Sequence, residues 1–217
     1  MPTDYQALIR GYVRIDLHDE DATNYRWTDA TLNRHIAQAV KELSFHIPRE
    51  VKTTLDTVAS SRDITLPVGV TDLVEIAAVE YPAGNFPRTY VRYSLWNNVL
   101  TLMGEDIPAA NGEDVYLYWY QLHTLDTTST TLPTWTYDLV ALGAAAMAAI
   151  EWASYATNRV NVGGEATWKN YLSWGTEALK QFREEIARKG RKGSVRSSSL
   201  FAPSAPAQSQ STDPGPQ

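Results

Sequence analysis

Residues 115–156 run VYLYWYQLHTLDTTSTTLPTWTYDLVALGAAAMAAIEWASYA, and the apolar period changes once along them. Val115, Leu117 and Trp119 alternate with Tyr116, Tyr118 and Tyr120, the two-residue period of a β-strand. Both sides of this strand are apolar or aromatic, so it belongs in the centre of a sheet or between two layers. After Leu132-Pro133 the alternation stops. From Trp135 to Asn158 a helix is expected, with small residues on nearly every face. Ala141, Ala145 and Ala149 share one face, and Ala144 and Ala148 another. Small side chains let helices approach closely, which suits a buried central helix or a tight contact between subunits.

Upstream, the same change of period occurs in the opposite order. Tyr5, Leu8, Ile9, Tyr12 and Val13 form a helical stripe over about Asp4–Leu17, ending before the acids that follow. Thr28 is the N-cap expected for a second helix, in which Leu32, Ile36, Ala39, Val40 and Leu43 line one face until Pro48. Val51–Leu122 is then expected to fold as four to six mostly antiparallel strands. Its segments are Ile64–Leu66, Leu73–Tyr81, Thr89–Leu95 as a returning strand, Asn98–Met103 and Val115–Gln121. Pro82-Ala83-Gly84-Asn85 and Asn111-Gly112 supply turns. Downstream, Gly163-Gly164 breaks the chain, and Trp168, Tyr171, Leu172, Gly175, Leu179, Phe182 and Ile186 mark a fourth helix.

From Gly190 onward, Gly, Pro and Ser make up 14 of 28 residues, and Leu200-Phe201 is the one hydrophobic pair. Such a composition does not bury enough apolar surface to fold alone. Charge divides at nearly the same place. From Arg188 there are five basic residues against one acid, Asp213, or +4. The rest of the chain holds 14 basic against 24 acidic residues, or −10. An acidic body repels a phosphate backbone, so it is not expected to grip nucleic acid. Cysteine is absent from the 217 residues, which excludes disulfides, thiolate metal sites and cysteine nucleophiles. The N-terminus lacks the basic start and apolar run of a signal peptide. The longest nearly apolar run, Leu139–Ile150, has 12 residues where a membrane span needs about 18. A soluble protein without export signal or membrane segment is the expectation.

Catalytic patterns are missing. Asp16, His18, Asp19, Glu20 and Asp21 have metal-ligand chemistry without the spacing of a calcium loop, and read as a solvated turn. His35 and His46 are eleven residues apart, about 16 Å along a helix, too far to share a metal. His123 stands alone, Glu184-Glu185 lie on an exposed face, and no nucleophile elbow or phosphate-binding glycine loop occurs. The unusual feature is seven tryptophans and twelve tyrosines. Trp96, Tyr116, Tyr118 and Tyr120 would suit a stacking platform in a carbohydrate- or receptor-binding module, against the plainer use of aromatics in core and subunit packing.

The segment Trp27–Val40, WTDATLNRHIAQAV, resembles the opening pattern of the head–tail connector, or adaptor, proteins of tailed bacteriophages: Trp, Ser or Thr, Asp, then Leu, Ile and Ala at helical spacing. Leu132-Pro133 with the Ala-rich helix through Ala153 resembles a second part of that pattern. The fold class expected is α+β: a four-helix α-helical core with a small antiparallel β insert and an extended C-terminal tail. The divisions are 1–50 and 123–189 for the helical pairs, 51–122 for the insert and 190–217 for the tail. The resemblance implies a non-enzymatic virion protein at the neck, made in the host cytoplasm. It implies a homo-oligomeric ring, commonly of twelve copies, beneath the portal protein and above a downstream neck or tail protein. Double-stranded DNA would pass through its channel without specific binding, and neither cofactor nor membrane is implied. Arg191, Lys192, Arg196, Leu200 and Phe201 are the residues expected to dock on the portal or an adjacent subunit. Ala141, Ala145 and Ala149 are expected to pack helices or subunits together.

Overall fold

The computed structural model describes residues 4–104, 107–156 and 167–193. Its fold is α+β, with four helices and two antiparallel sheets. Helix α1 spans Tyr5–Asp16, and the Asp4 side chain accepts from the Ala7 N–H at 2.8 Å to cap it. Helix α2 spans Asp29–His46, capped by Thr28, whose hydroxyl accepts from the Thr31 N–H at 3.2 Å. After a 3-10 turn at Thr134–Thr136 come α3, Tyr137–Ala156, and α4, Thr167–Gly193. One apolar cluster draws on all four helices, including Ile9, Val13, Leu32, Ile36, Leu43, Val140, Phe182 and Ile186.

Helix α3 is the axis of that cluster. Twelve of its twenty residues are buried, distributed around its circumference, because α1, α2 and α4 all pack on it. Thr134–Ala156 is long and apolar enough by composition to cross a membrane, but that apolar surface is spent on the chain's own core. Glycine permits the closest approach. A methyl group on Gly175 would lie 2.8 Å from the Ile150 side chain and 3.0 Å from the Ala146 carbonyl oxygen, and one on Gly143 would lie 3.0 Å from the Phe182 ring.

Strands β1 (Arg49–Asp56), β2 (Asp63–Thr65), β3 (Leu73–Glu80), β4 (Tyr90–Val91), β5 (Tyr93–Trp96), β6 (Val99–Leu102) and β7 (Asp114–Gln121) form the second unit. The order is β1-β7-β3-β4 in one sheet and β2-β6-β5 in the other. Strand β7 is central, as its two apolar faces predict: Val115, Leu117 and Trp119 are buried and the alternating tyrosines half-buried. Leu55, Ile64, Ile76, Val79, Leu100 and Leu102 complete a core that shares no residue with the helical one.

Several expectations are corrected. Among the described residues there are seven strands, not four to six, occupying 49–121 instead of 51–122. The unrecognised strand is β1, REVKTTLD, an edge strand with one fully buried side chain, Leu55, so its pattern is mostly polar. The single strand expected over Thr89–Leu95 is two strands. The chain passes from one sheet to the other at Arg92, whose carbonyl accepts from the Met103 N–H at 2.8 Å. Helix α3 is described as far as Ala156, and its expected end at Asn158 lies outside the described residues. Helix α4 continues to Gly193 instead of ending before Gly190, because Gly190 fits the tight approach of α4 to the end of α2; a methyl group there would lie 2.4 Å from the His46 carbonyl oxygen. Gly163-Gly164 lies outside the described residues.

Candidate functional site

The helical body is organised at the loop from Leu17 to Thr28. Arg14, at the C-terminal end of α1, is 6% exposed and would be costly to bury alone. It donates to Asp19 Oδ2 at 2.6 Å, to Asp29 Oδ1 at 2.7 Å and to the Trp27 carbonyl at 3.1 Å, and its guanidinium lies 3.4 Å from the centre of the Tyr25 ring. Asp19 also accepts from the Arg26 and Trp27 backbone N–H groups, at 2.8 and 3.3 Å. Asp19 is therefore not part of a solvated turn; it is buried and shapes the loop. Glu20 and Asp21 are exposed, as that reading expected. Among the described residues no group of three or more acids or histidines is placed to hold a metal ion.

This loop presents Trp27 to the core. The indole is buried and its Nε1 donates to the Ala148 carbonyl of α3 at 3.3 Å. Arg26 lies over the rings of Trp152, Tyr171 and Trp27, at 4.8, 5.3 and 5.6 Å from their centres, and donates to the Tyr171 hydroxyl. Between the loop and the N-terminal half of α4 is a cleft of about 480 Å³. Aromatic Trp27, Tyr171 and Trp174 line it together with acidic Asp16, Asp19 and Asp21 and with His18 and Arg26. Burial pushes the Asp16 carboxyl up from its ordinary range, whereas hydrogen bonds from Thr23 and Asn24 hold Asp21 down.

Two histidines join layers. His35 is buried on α2 and faces Glu151 of α3, which Arg34 also engages. Burial lowers its pKa, and the Glu151 hydrogen bond opposes that shift only in part. His123, just beyond β7, donates from Nε2 to the Ile47 carbonyl at 3.0 Å and has Nδ1 3.1 Å from the Thr131 hydroxyl. Its backbone N–H donates to the Ser44 hydroxyl at 2.9 Å, so the exit of the β unit is tied to α2. Burial lowers the pKa of this ring too.

The residues singled out from sequence are dispersed. Ala141, Ala145 and Ala149 are 1%, 0% and 0% exposed within the chain's own helical core. Arg191 and Lys192 fall in the last turn of α4. Arg196, Leu200 and Phe201 lie outside the described residues. Trp96 ends β5 in the three-stranded sheet at 80% exposure, whereas Tyr116, Tyr118 and Tyr120 line the outward face of β7 in the other sheet. Lys52 stands 3.4 Å from the centre of the Tyr116 ring, and the Tyr118 hydroxyl donates to the buried Glu80 carboxylate at 2.7 Å. Burial, reinforced by Glu80, pushes the Tyr118 phenol up to about 12. The tyrosine row is thus engaged by the protein's own charges. Sequence reasoning passed over Arg14 and Glu80 and read Asp19 as solvated, because their partners are brought to them only by the fold.

Compared with known protein families, residues 3–198 match the family described as SU10 adaptor protein. No curated protein matches the chain. Among solved structures, the chain is similar to one in the neck of an empty GTA particle computed with C6 symmetry. That likeness is at 16% identity, covering 81% of this chain and 88% of the other with a TM-score of 0.29.

Proposed function

The chain belongs to the SU10 adaptor protein family, and from that premise we propose that it is a structural component of the virion neck. Copies form a ring, of twelve in the simplest arrangement, beneath the portal protein, and continue the DNA channel toward a downstream neck or tail protein. The observation that carries this reading is the extent of the family match, residues 3–198, which takes in both the helical body and the β unit. The charge supports it: a body with an excess of acids lets double-stranded DNA pass without condensing on it. The segment beyond Gly193 serves as a docking arm. Arg191, Lys192 and Arg196 orient it, and Leu200 and Phe201 supply its apolar anchor.

The alanine face of α3 is covered within the subunit, so subunits would meet through other surfaces. Three loops at the end of the β unit away from the helices expose Val58, Phe86, Met103 and Ile107. The test is the mass and image of the full-length protein alone and with portal-bearing heads. A closed ring of 24.2 kDa subunits seated on the portal is expected. Protein that stays free of the heads, at any concentration that assembles the neck, would overturn the reading.

A further inference from the structure

Strand β1 has a neighbouring strand on one side only. It pairs with β7 at every position from Arg49 to Asp56 without a bulge, and no proline interrupts it. Among the described elements no other packs along it. The Thr57 N–H donates to the Glu113 carbonyl at 3.1 Å, which continues the ladder and fixes its phase. The backbone groups of Val51, Thr53 and Leu55 therefore face β7, and those of Lys52, Thr54 and Asp56 point outward. The side chains of these last three are exposed on the tyrosine face of the sheet. Edge strands are commonly protected by prolines, bulges or lysines that reach past the edge. The one lysine of β1 is drawn back over its own sheet, 3.4 Å from the centre of the Tyr116 ring.

Such an edge is a template for another strand, and the order of its charges selects which. We propose that β1 pairs antiparallel with β1 of a second copy, about a two-fold axis at Thr54. Lys52 of each copy then lies opposite Asp56 of the other, Thr54 opposite Thr54, and Thr53 opposite Leu55 on the inner face. Other registers are worse. An axis at Thr53 sets Glu50 against Asp56, and one at Lys52 sets two lysines together; like charges directly opposite destabilise a pair. An axis at Val51 puts Pro48, which has no N–H, opposite Thr54, and one at Leu55 leaves Lys52 and Asp56 unmatched. The contact is isologous and covers both edges at once, making one sheet of two four-stranded ones. Copies so paired run in opposite directions. The pair is therefore a form of the free protein, which opens before copies take the single orientation of a ring, and the proposal does not rest on the ring reading.

The chain has no cysteine, so Thr54→Cys in the full-length protein reports the contact directly. Oxidation is expected to give a 54–54 disulfide dimer, since Cα atoms opposed in a hydrogen-bonded pair lie about 5.5 Å apart. Glu50→Cys is the control: its copies lie about 26 Å apart in this register and should link at least about tenfold less. Sedimentation equilibrium of the portal-free protein should show a dimer. Asp56→Lys or Lys52→Asp alone should weaken it about tenfold or more, and the two together should restore it. Thr54→Cys changes one exposed side chain and decides the matter if a charge variant fails to fold. Equal linking at residues 50 and 54, or a dimer indifferent to the charge swap, overturns the proposal. So does protein that stays monomeric at millimolar concentration, or a portal-free ring whose copies do not link at residue 54. The adaptor reading is decided separately, by whether rings form on portal-bearing heads.

Discussion

Single residues decide the geometry of the α1–α2 loop. Arg14 and Asp19 are both buried, so Asp19→Ala strands a guanidinium whose other carboxylate partner, Asp29, is solvent-exposed. A loss of about 3–5 kcal/mol in unfolding free energy is expected by urea denaturation, against a change within about 0.5 kcal/mol for Glu20→Ala one position on. Trp27→Ala empties the site beside Ala148 and should cost about 3–5 kcal/mol. A change under 1 kcal/mol would mean that the indole is not seated in the core. His35 and His123 set the response to pH. Both are held below 6.5 in the folded chain, chiefly by burial, so the unfolded chain binds more protons below that value. Stability is therefore full above about pH 6.5 and falls as the pH drops through it toward the folded pKa values. Melting temperature measured from pH 8 to 5.5 should be level and then decline, and His35→Gln with His123→Gln should flatten the decline.

Among elements, α1 and α4 show how one residue type serves opposite purposes. Gly11 lies in α1, where a methyl group would have nothing within 4 Å. Gly11→Ala should stabilise the protein by about 0.5–1 kcal/mol through helix propensity alone. Gly175→Ala, in contact with Ile150 and the Ala146 carbonyl, should destabilise by about 1–3 kcal/mol. Thermal unfolding of the two variants should therefore move in opposite directions. The same tightness makes Ala145→Leu a test of the subunit's own core, since Ala145 has no exposed surface.

At the scale of the molecule, the helical body and the β unit have separate cores joined at one place. Arg49 pairs with Gln121, which puts the two ends of the β unit side by side, as close as residues opposed in an antiparallel pair, about 5 Å. Replacing residues 49–121 by a short Gly/Ser linker should leave a soluble helical protein with a cooperative unfolding transition. A product that lacks cooperative unfolding would show that the two cores depend on each other. If the excised protein folds but no longer joins the neck, the β unit carries assembly contacts and not subunit stability.

What the sequence determined by itself was local. The change of apolar period at Pro48 and again at Pro133, the cap at Thr28, and the central placement of β7 follow from residues within a few positions of one another. The Trp27–Val40 pattern was enough to mark the family. Tertiary structure decided the rest. Only packing shows that the alanine face of α3 is turned inward, that Asp19 answers Arg14 instead of water, and that Gly190 is a point of contact and not a helix stop. Only pairing shows that β1 is a strand and that the segment after Thr89 divides between two sheets. The physical reason is common to all of these. Periodicity and capping report the environment along one element, whereas burial of a charge, the approach of two helices and the choice of a sheet depend on partners far away in the chain.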